Sequence, residues 1–148
     1  MTLSRRMFLL QAAAMPRRAR LEALERVMGP APPLDGPVAW NITGEWREDG
    51  YTRRRILFQS EPGDLVPAWL LLPDRPHRKR LAALCLHQTT KIGKDEPAGL
   101  GGRPNLHYAK ELALRGWTAL APDYPNFGEY RFDPYAHGYA SATMKGIV

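Results

Sequence analysis

The sequence predicts an α/β fold in which an antiparallel hairpin precedes a strand-helix-strand unit of a mainly parallel sheet. Residues 53–60 and 66–72 carry strand patterns and are separated by a Pro-Gly turn, which predicts the hairpin. Residues 81–86 and 117–121 are continuously apolar, as is typical of strands buried on both faces of a parallel sheet. Between them, residues 106–113 have apolar side chains at helical spacing, so a right-handed crossover is expected.

The segment before the hairpin is interpreted as a lead-in covering residues 17–50. Leu21, Leu24 and Met28 have helical spacing, and Gly29-Pro30 predicts the end of that helix. A proline-rich linker follows. Trp40, Trp46 and Tyr51 are expected to pack beneath the hairpin or to be ordinary core or surface aromatics.

The composition excludes several classes of protein. The 148 residues suffice for one modest domain, and no apolar run is long enough to span a bilayer. The net charge is +6, but residues 1–26 hold six arginines against two glutamates, so the rest carries only +2 and a nucleic-acid partner is not predicted. Cys85 alone cannot form an internal disulfide, and the four histidines lack metal-site spacing, so no metal is expected.

Residues 1–16 are interpreted as an export signal or a disordered tail. Arg5-Arg6, a short apolar segment and small residues near Ala14 resemble a bacterial twin-arginine signal, which favours the periplasm or the outside. The alternatives are an amphipathic lead-in of a cytoplasmic protein, or translation that starts at Met15.

The loop after residues 81–86 is the first candidate for chemistry. Loops at the C-terminal ends of parallel strands form the ligand-binding edge of an open sheet. His87 is expected to orient this loop, so that backbone N–H groups beyond it could face a developing negative charge. The loop is long for a compact unit, which favours a function over a surface connection. Lys94 lacks the glycine spacing of a P-loop, so nucleotide binding is not predicted.

The loop after residues 117–121 is the second candidate. It begins with Asp123, interpreted as a hydrogen-bond acceptor that pins the loop rather than as a catalytic acid. Six aromatic residues follow within sixteen positions, and they can form the wall of an apolar substrate pocket. The first three are assigned to that pocket, although packing under a long loop is the alternative for each: Tyr124, Phe127 and Tyr130.

From about Tyr51 to Val148 these segments resemble the N-terminal half of an α/β-hydrolase of the dienelactone hydrolase and acetyl xylan esterase-like group. The resemblance is carried, in order, by SEPGDLVPAWLLLP, LCLHQTTKIGKDEPAGLGG, NLHYAKELALRGW and ALAPDYPNFGEY. It implies hydrolysis of a small-molecule ester by a Ser-His-Asp triad without a cofactor. It also implies that His87-Gln88 replaces the usual His-Gly, with a backbone N–H of Gln88 or Thr89 in the oxyanion hole.

The nucleophile of that fold lies in a G-x-S-x-G elbow. None of the three serines, Ser4, Ser60 and Ser141, lies in such an elbow, so all three triad members are expected beyond Val148 and the chain is expected to be inactive alone. The alternatives are a serine peptidase of the prolyl-oligopeptidase type and a non-catalytic module that binds a small molecule or a protein.

Overall fold

The structure, a computed structural model, describes residues 16–28, 36–61 and 63–131. Along the chain, the division between two compact units falls between Pro37 and Val38. In the first unit, helix α1 spans Arg17–Met28, which confirms the predicted helix. Residues 1–15 of the predicted export signal, residues 30–35 of the proline-rich linker and residues 132–148 lie outside the described residues.

The second unit contains one five-stranded sheet. Its order is β1-β2-β3-β5-β4. Three of the four pairings are antiparallel, and β4 with β5 is the parallel one. The described sheet is therefore mostly antiparallel, and the prediction of a mainly parallel sheet is wrong for these residues. The strand bounds are β1 Trp40–Glu48, β2 Tyr51–Glu61, β3 Asp64–Pro73, β4 Ala82–Leu84 and β5 Thr118–Pro122.

Strand β1 occupies residues that the sequence analysis assigned to a lead-in, and this is a correction. Glu48 pairs with Tyr51, so only Asp49 and Gly50 connect β1 to β2. Gly50 has φ +86°, a conformation that glycine adopts without steric cost. An Asp-Gly pair between two strand patterns is a strong hairpin signal, and it could have revealed β1 from the sequence.

The predicted hairpin of β2 and β3 and the predicted strand-helix-strand unit are both confirmed. Helix α2 spans Tyr108–Leu114 and follows a short 3₁₀ turn, Pro104–Leu106. The chain leaves the helix at Gly116, whose φ of +87° ends the helical path. The helix packs on one face of the sheet and contributes to a core of buried apolar side chains: Tyr51, Trp69, Leu71, Cys85, Ala98, Ala109, Ala113, Ala119 and Ala121.

The aromatic side chains near the first hairpin do not behave alike. Trp46 packs edge-on against Trp69, with 5.3 Å between the ring centres, and Tyr51 is buried in the core. Trp40 is 54% exposed. Trp46 is 43% exposed despite its contact with Trp69, so of the three aromatics only Tyr51 is a core residue.

Strand β4 is not buried on both faces, contrary to the prediction from its apolar sequence. Leu84 is 62% exposed, and β4 is an outer strand of the described sheet. Cys85, which follows it, is buried as predicted. Burial raises the pKa of the Cys85 thiol, which keeps the sulfur protonated and unreactive.

Candidate functional site

The candidate site lies where two loops leave the same edge of the sheet. The first loop, residues 85–103, follows β4, and the second loop, residues 123–131, follows β5. Because β4 and β5 are parallel, both loops start at the C-terminal edge. Among the hydrogen bonds that connect them directly, two run from backbone N–H groups of the second loop to the first. The Tyr124 N–H donates to His87 Nε2 over 3.0 Å, and the Gly128 N–H donates to the Lys91 carbonyl over 3.2 Å.

His87 is buried, and its two ring nitrogens have opposite roles. Nδ1 lies 2.6 Å from the Gln88 carbonyl oxygen, which can only accept, so Nδ1 carries the proton. Nε2 accepts the Tyr124 N–H, so it is unprotonated and the imidazole is neutral. The ring centres of Tyr124 and Phe127 lie 4.3 and 5.6 Å from the imidazole centre. His87 thus joins the first loop to the start of the second.

Gln88 and Thr89 follow His87 and are exposed. In the part of the chain that the structure describes, neither of their backbone N–H groups donates to a protein acceptor. Such groups must bind water or a ligand oxygen. The first loop therefore presents two available donors next to a fixed imidazole.

Asp123 is the acceptor on which the second loop converges. Its carboxylate is buried and accepts the Lys94 backbone N–H at 2.7 Å, the Lys94 ammonium at 3.0 Å and the Glu129 N–H at 2.9 Å. Gly93 and Gly128 make this approach possible, because a Cβ at either position would overlap the carboxylate. Their φ values of +55° and +53° also favour glycine.

Lys94 is the site residue that sequence reasoning missed. Its side chain is completely buried, and its ammonium lies 3.0 Å from Asp123, 3.3 Å from Glu129 and 3.7 Å from Asp95. It also lies 5.6 Å from the centre of the Trp69 ring, whose indole N–H donates to Asp95 at 2.6 Å. In the sequence, Lys94 belongs to a charged loop, and no local signal distinguishes it from solvated lysines.

Glu129 connects the second loop to β2. Arg55 donates to its carboxylate from two guanidinium nitrogens, one at 2.9 Å. Partial burial opposes the charge of Glu129, but the hydrogen bond from Arg55 and the nearby Lys94 ammonium lower its pKa below the usual value.

The three predicted pocket aromatics separate into two groups. Tyr124 and Phe127 are half-buried and flank His87. Tyr130 is buried, and its hydroxyl donates to the Asp64 carboxylate at 2.6 and 2.7 Å, where β3 begins. The other three aromatics of the segment, Phe132, Tyr135 and Tyr139, lie outside the described residues.

Other kinds of site receive little support from the described residues. Within residues 16–28, 36–61 and 63–131, no three His, Cys, Asp or Glu side chains are grouped to bind a metal. No helix in those ranges has the length and apolarity needed to cross a membrane. Ser60 donates a hydrogen bond to Asp64 rather than to a histidine, so it does not form the serine–histidine contact of a triad. A cavity of about 330 Å³ lies at the opposite sheet edge, beside Asp49 and Asp74.

Comparison with solved structures identifies a similar fold. A crystal structure of a "putative acetyl xylan esterase" from Bacteroides fragilis superposes with a TM-score of 0.61 at 22% identity. The match covers 95% of this chain and 42% of that protein. The likeness shows the fold alone. This agrees with the α/β fold that the sequence predicts, and the chain spans less than half of that protein's length. No family model matches the chain, and no curated protein is significantly similar to it.

Proposed function

We propose that this chain forms the oxyanion-loop and pocket half of a carboxylic-ester hydrolase that transfers an acyl group to water. The observation that carries the proposal is that the exposed residues Gln88 and Thr89 have backbone N–H groups that donate to no acceptor in the described chain, on a fold similar to that of the Bacteroides fragilis protein. Donors of this kind stabilise the oxyanion that develops during acyl transfer.

The roles of the remaining residues follow from their contacts. His87 orients the first loop, because both of its ring nitrogens are engaged in hydrogen bonds. This also argues against His87 as the catalytic base, since Nε2 is occupied by the Tyr124 N–H. Asp123 holds the second loop in place. Tyr124 and Phe127 supply the apolar wall of the substrate pocket, and Tyr130 anchors the end of the second loop to Asp64.

The nucleophile of the proposed enzyme belongs to the part of the fold that this chain does not cover. The match spans 42% of the Bacteroides fragilis protein, which leaves room for the G-x-S-x-G elbow and the rest of a triad. An acetyl ester is the first substrate to test, because that protein is described as a "putative acetyl xylan esterase".

Two measurements test the proposal. The 148-residue chain should not hydrolyse p-nitrophenyl acetate above background, and the gene beyond codon 148 should encode G-x-S-x-G within a few tens of residues. A stop codon with no such motif downstream would contradict the proposal. Cleavage of a peptide but not of an ester by the longer polypeptide would favour the peptidase alternative.

The backbone donors can be tested by proline substitution in the longer polypeptide. Gln88→Pro and Thr89→Pro each remove one N–H, and loss of an oxyanion donor lowers kcat by about 10²–10³. Gln88→Ala and Thr89→Ala keep the N–H, so the rate ratio between the proline and alanine variants isolates the donor. A ratio near one at both positions would exclude the assigned oxyanion hole.

A further inference from the structure

The most buried charge in the described residues has no part in the function proposed so far. The Lys94 side chain is 0% exposed and is enclosed by Asp123 at the end of β5, Glu129 in the second loop, and Trp69 on β3. A buried ammonium is costly unless it is paired, so its retention in this position requires an explanation.

Stability alone does not provide that explanation. Replacing a buried ion pair by apolar residues of similar volume is often neutral or stabilising, so packing could have closed this space equally well. An ammonium group differs from a methyl group because it has three N–H donors with defined directions. Here it faces three carboxylates, at 3.0, 3.3 and 3.7 Å. The two nearer ones, Asp123 and Glu129, belong to the second loop, and Asp95 is the next residue of the first loop.

The geometry also shows which parts of the chain are joined. The Lys94 backbone N–H binds Asp123 Oδ1, while its ammonium binds Oδ2 of the same carboxylate. One residue of the first loop therefore donates hydrogen bonds to both carboxylate oxygens of the residue that starts the second loop. His87–Tyr124 and Lys91–Gly128 are two further hydrogen-bonded links between these loops, and in each the first-loop residue precedes Lys94 and the second-loop residue follows Asp123.

We propose that Lys94 is a positioning residue whose buried ammonium fixes the first loop against the second and so sets the direction of the Gln88 and Thr89 backbone N–H groups. The inference rests on the proposed function only in naming the Gln88 and Thr89 N–H groups as the oxyanion donors that are positioned. The loop geometry itself can be measured without any hydrolysis, so a failure of one proposal is distinguishable from a failure of the other.

Amide hydrogen exchange of the 148-residue chain, followed by NMR, tests the proposal. In Lys94→Met, the Tyr124 and Gly128 amides, which bond to the first loop, should exchange on the order of tenfold faster. The Leu71 and Ala119 amides of the sheet should be unchanged. Lys91→Met is the matched control, since the exposed Lys91 lies in the same loop and forms no ion pair with a described residue. It should leave all four amides unchanged.

The imidazole of His87 gives a second signature that a general loss of stability would not produce. Its ring ¹⁵N shifts should report a single Nδ1–H tautomer in the unaltered chain and in Lys91→Met. In Lys94→Met they should move towards the averaged values of an imidazole that exchanges between tautomers. Unchanged ¹⁵N shifts together with unchanged exchange at Tyr124 and Gly128 would overturn the proposal.

The double variant Lys94→Met/Asp123→Asn keeps the test decisive if Lys94→Met does not fold. Removing both members of the pair should restore the protection of the sheet amides, because neither the Lys94 ammonium nor the Asp123 carboxylate is then left buried without its partner. The Tyr124 and Gly128 amides should still exchange faster than in the unaltered chain. If both loops are fully protected in this variant, or if the sheet also loses protection, Lys94 does not act as a positioning residue.

Discussion

Replacement of Asp123 by asparagine tests how strongly the two loops depend on one carboxylate. Asp123 Oδ1 accepts the Lys94 backbone N–H, and Oδ2 accepts both the Lys94 ammonium and the Glu129 N–H. Asparagine can keep the first of these bonds. Its NH₂ group then faces two donors, so two hydrogen bonds are lost and the completely buried Lys94 loses its closest partner.

The expected effect follows from the burial of the pair. Breaking a buried ion pair by removing one partner lowers the free energy of unfolding by roughly 3–5 kcal/mol. Domains of this size are stabilised by about 5–15 kcal/mol in total. With a typical urea dependence of about 1–3 kcal/mol per molar, the unfolding midpoint should fall on the order of 2 M. Tryptophan fluorescence is a suitable signal, because Trp69 lies beside Lys94.

An exposed pair provides the control for Asp123→Asn. Glu45 binds Arg54 across β1 and β2, and its side chain is 51% exposed. Glu45→Gln removes the same charge, and loss of an exposed pair changes the free energy of unfolding by about 0–1 kcal/mol. If Asp123→Asn has no larger effect than Glu45→Gln, the assignment of Asp123 and Lys94 as a buried pair is wrong.

Three further predictions concern pH, glycine geometry and the core. Because the pKa of Glu129 is lowered, its charge stabilises the fold at pH values above about 4.5, and this stability is lost as the pH falls below that value. Urea midpoints measured against pH should therefore fall less steeply in this range for Glu129→Gln than for the unaltered chain. Equal slopes would refute the lowered pKa. Gly93→Ala should destabilise the chain more than Gly63→Ala in the same titration, because both have positive φ but only Gly93 lacks space for a Cβ; an equal loss would exclude the steric overlap. Leu71→Ala should lower the free energy of unfolding by about 2–5 kcal/mol. Leu65→Ala, at a position 51% exposed, is its control and should change it much less.

Local patterns in the sequence were sufficient for the elements that form the site edge. The hairpin, helix α2 and the parallel pairing of β4 with β5 all follow from periodicity and turn residues close in sequence. The same patterns place His87 and Asp123 directly after two strands, and parallel pairing brings those strand ends to one edge. Strand β1 was also accessible from local signals, since Asp49-Gly50 marks its turn.

Burial and long-range pairing were decided only by the tertiary structure. The apolar run of β4 predicted burial on both faces, but burial depends on what packs against each face, and Leu84 of β4 is 62% exposed. Lys94 shows the same limit more sharply. It is 29 positions from Asp123 in the sequence, and only the folding of both loops onto one sheet edge brings their charges together. A lysine in a charged loop is ordinarily solvated, and the partners that allow its burial are specified by the fold.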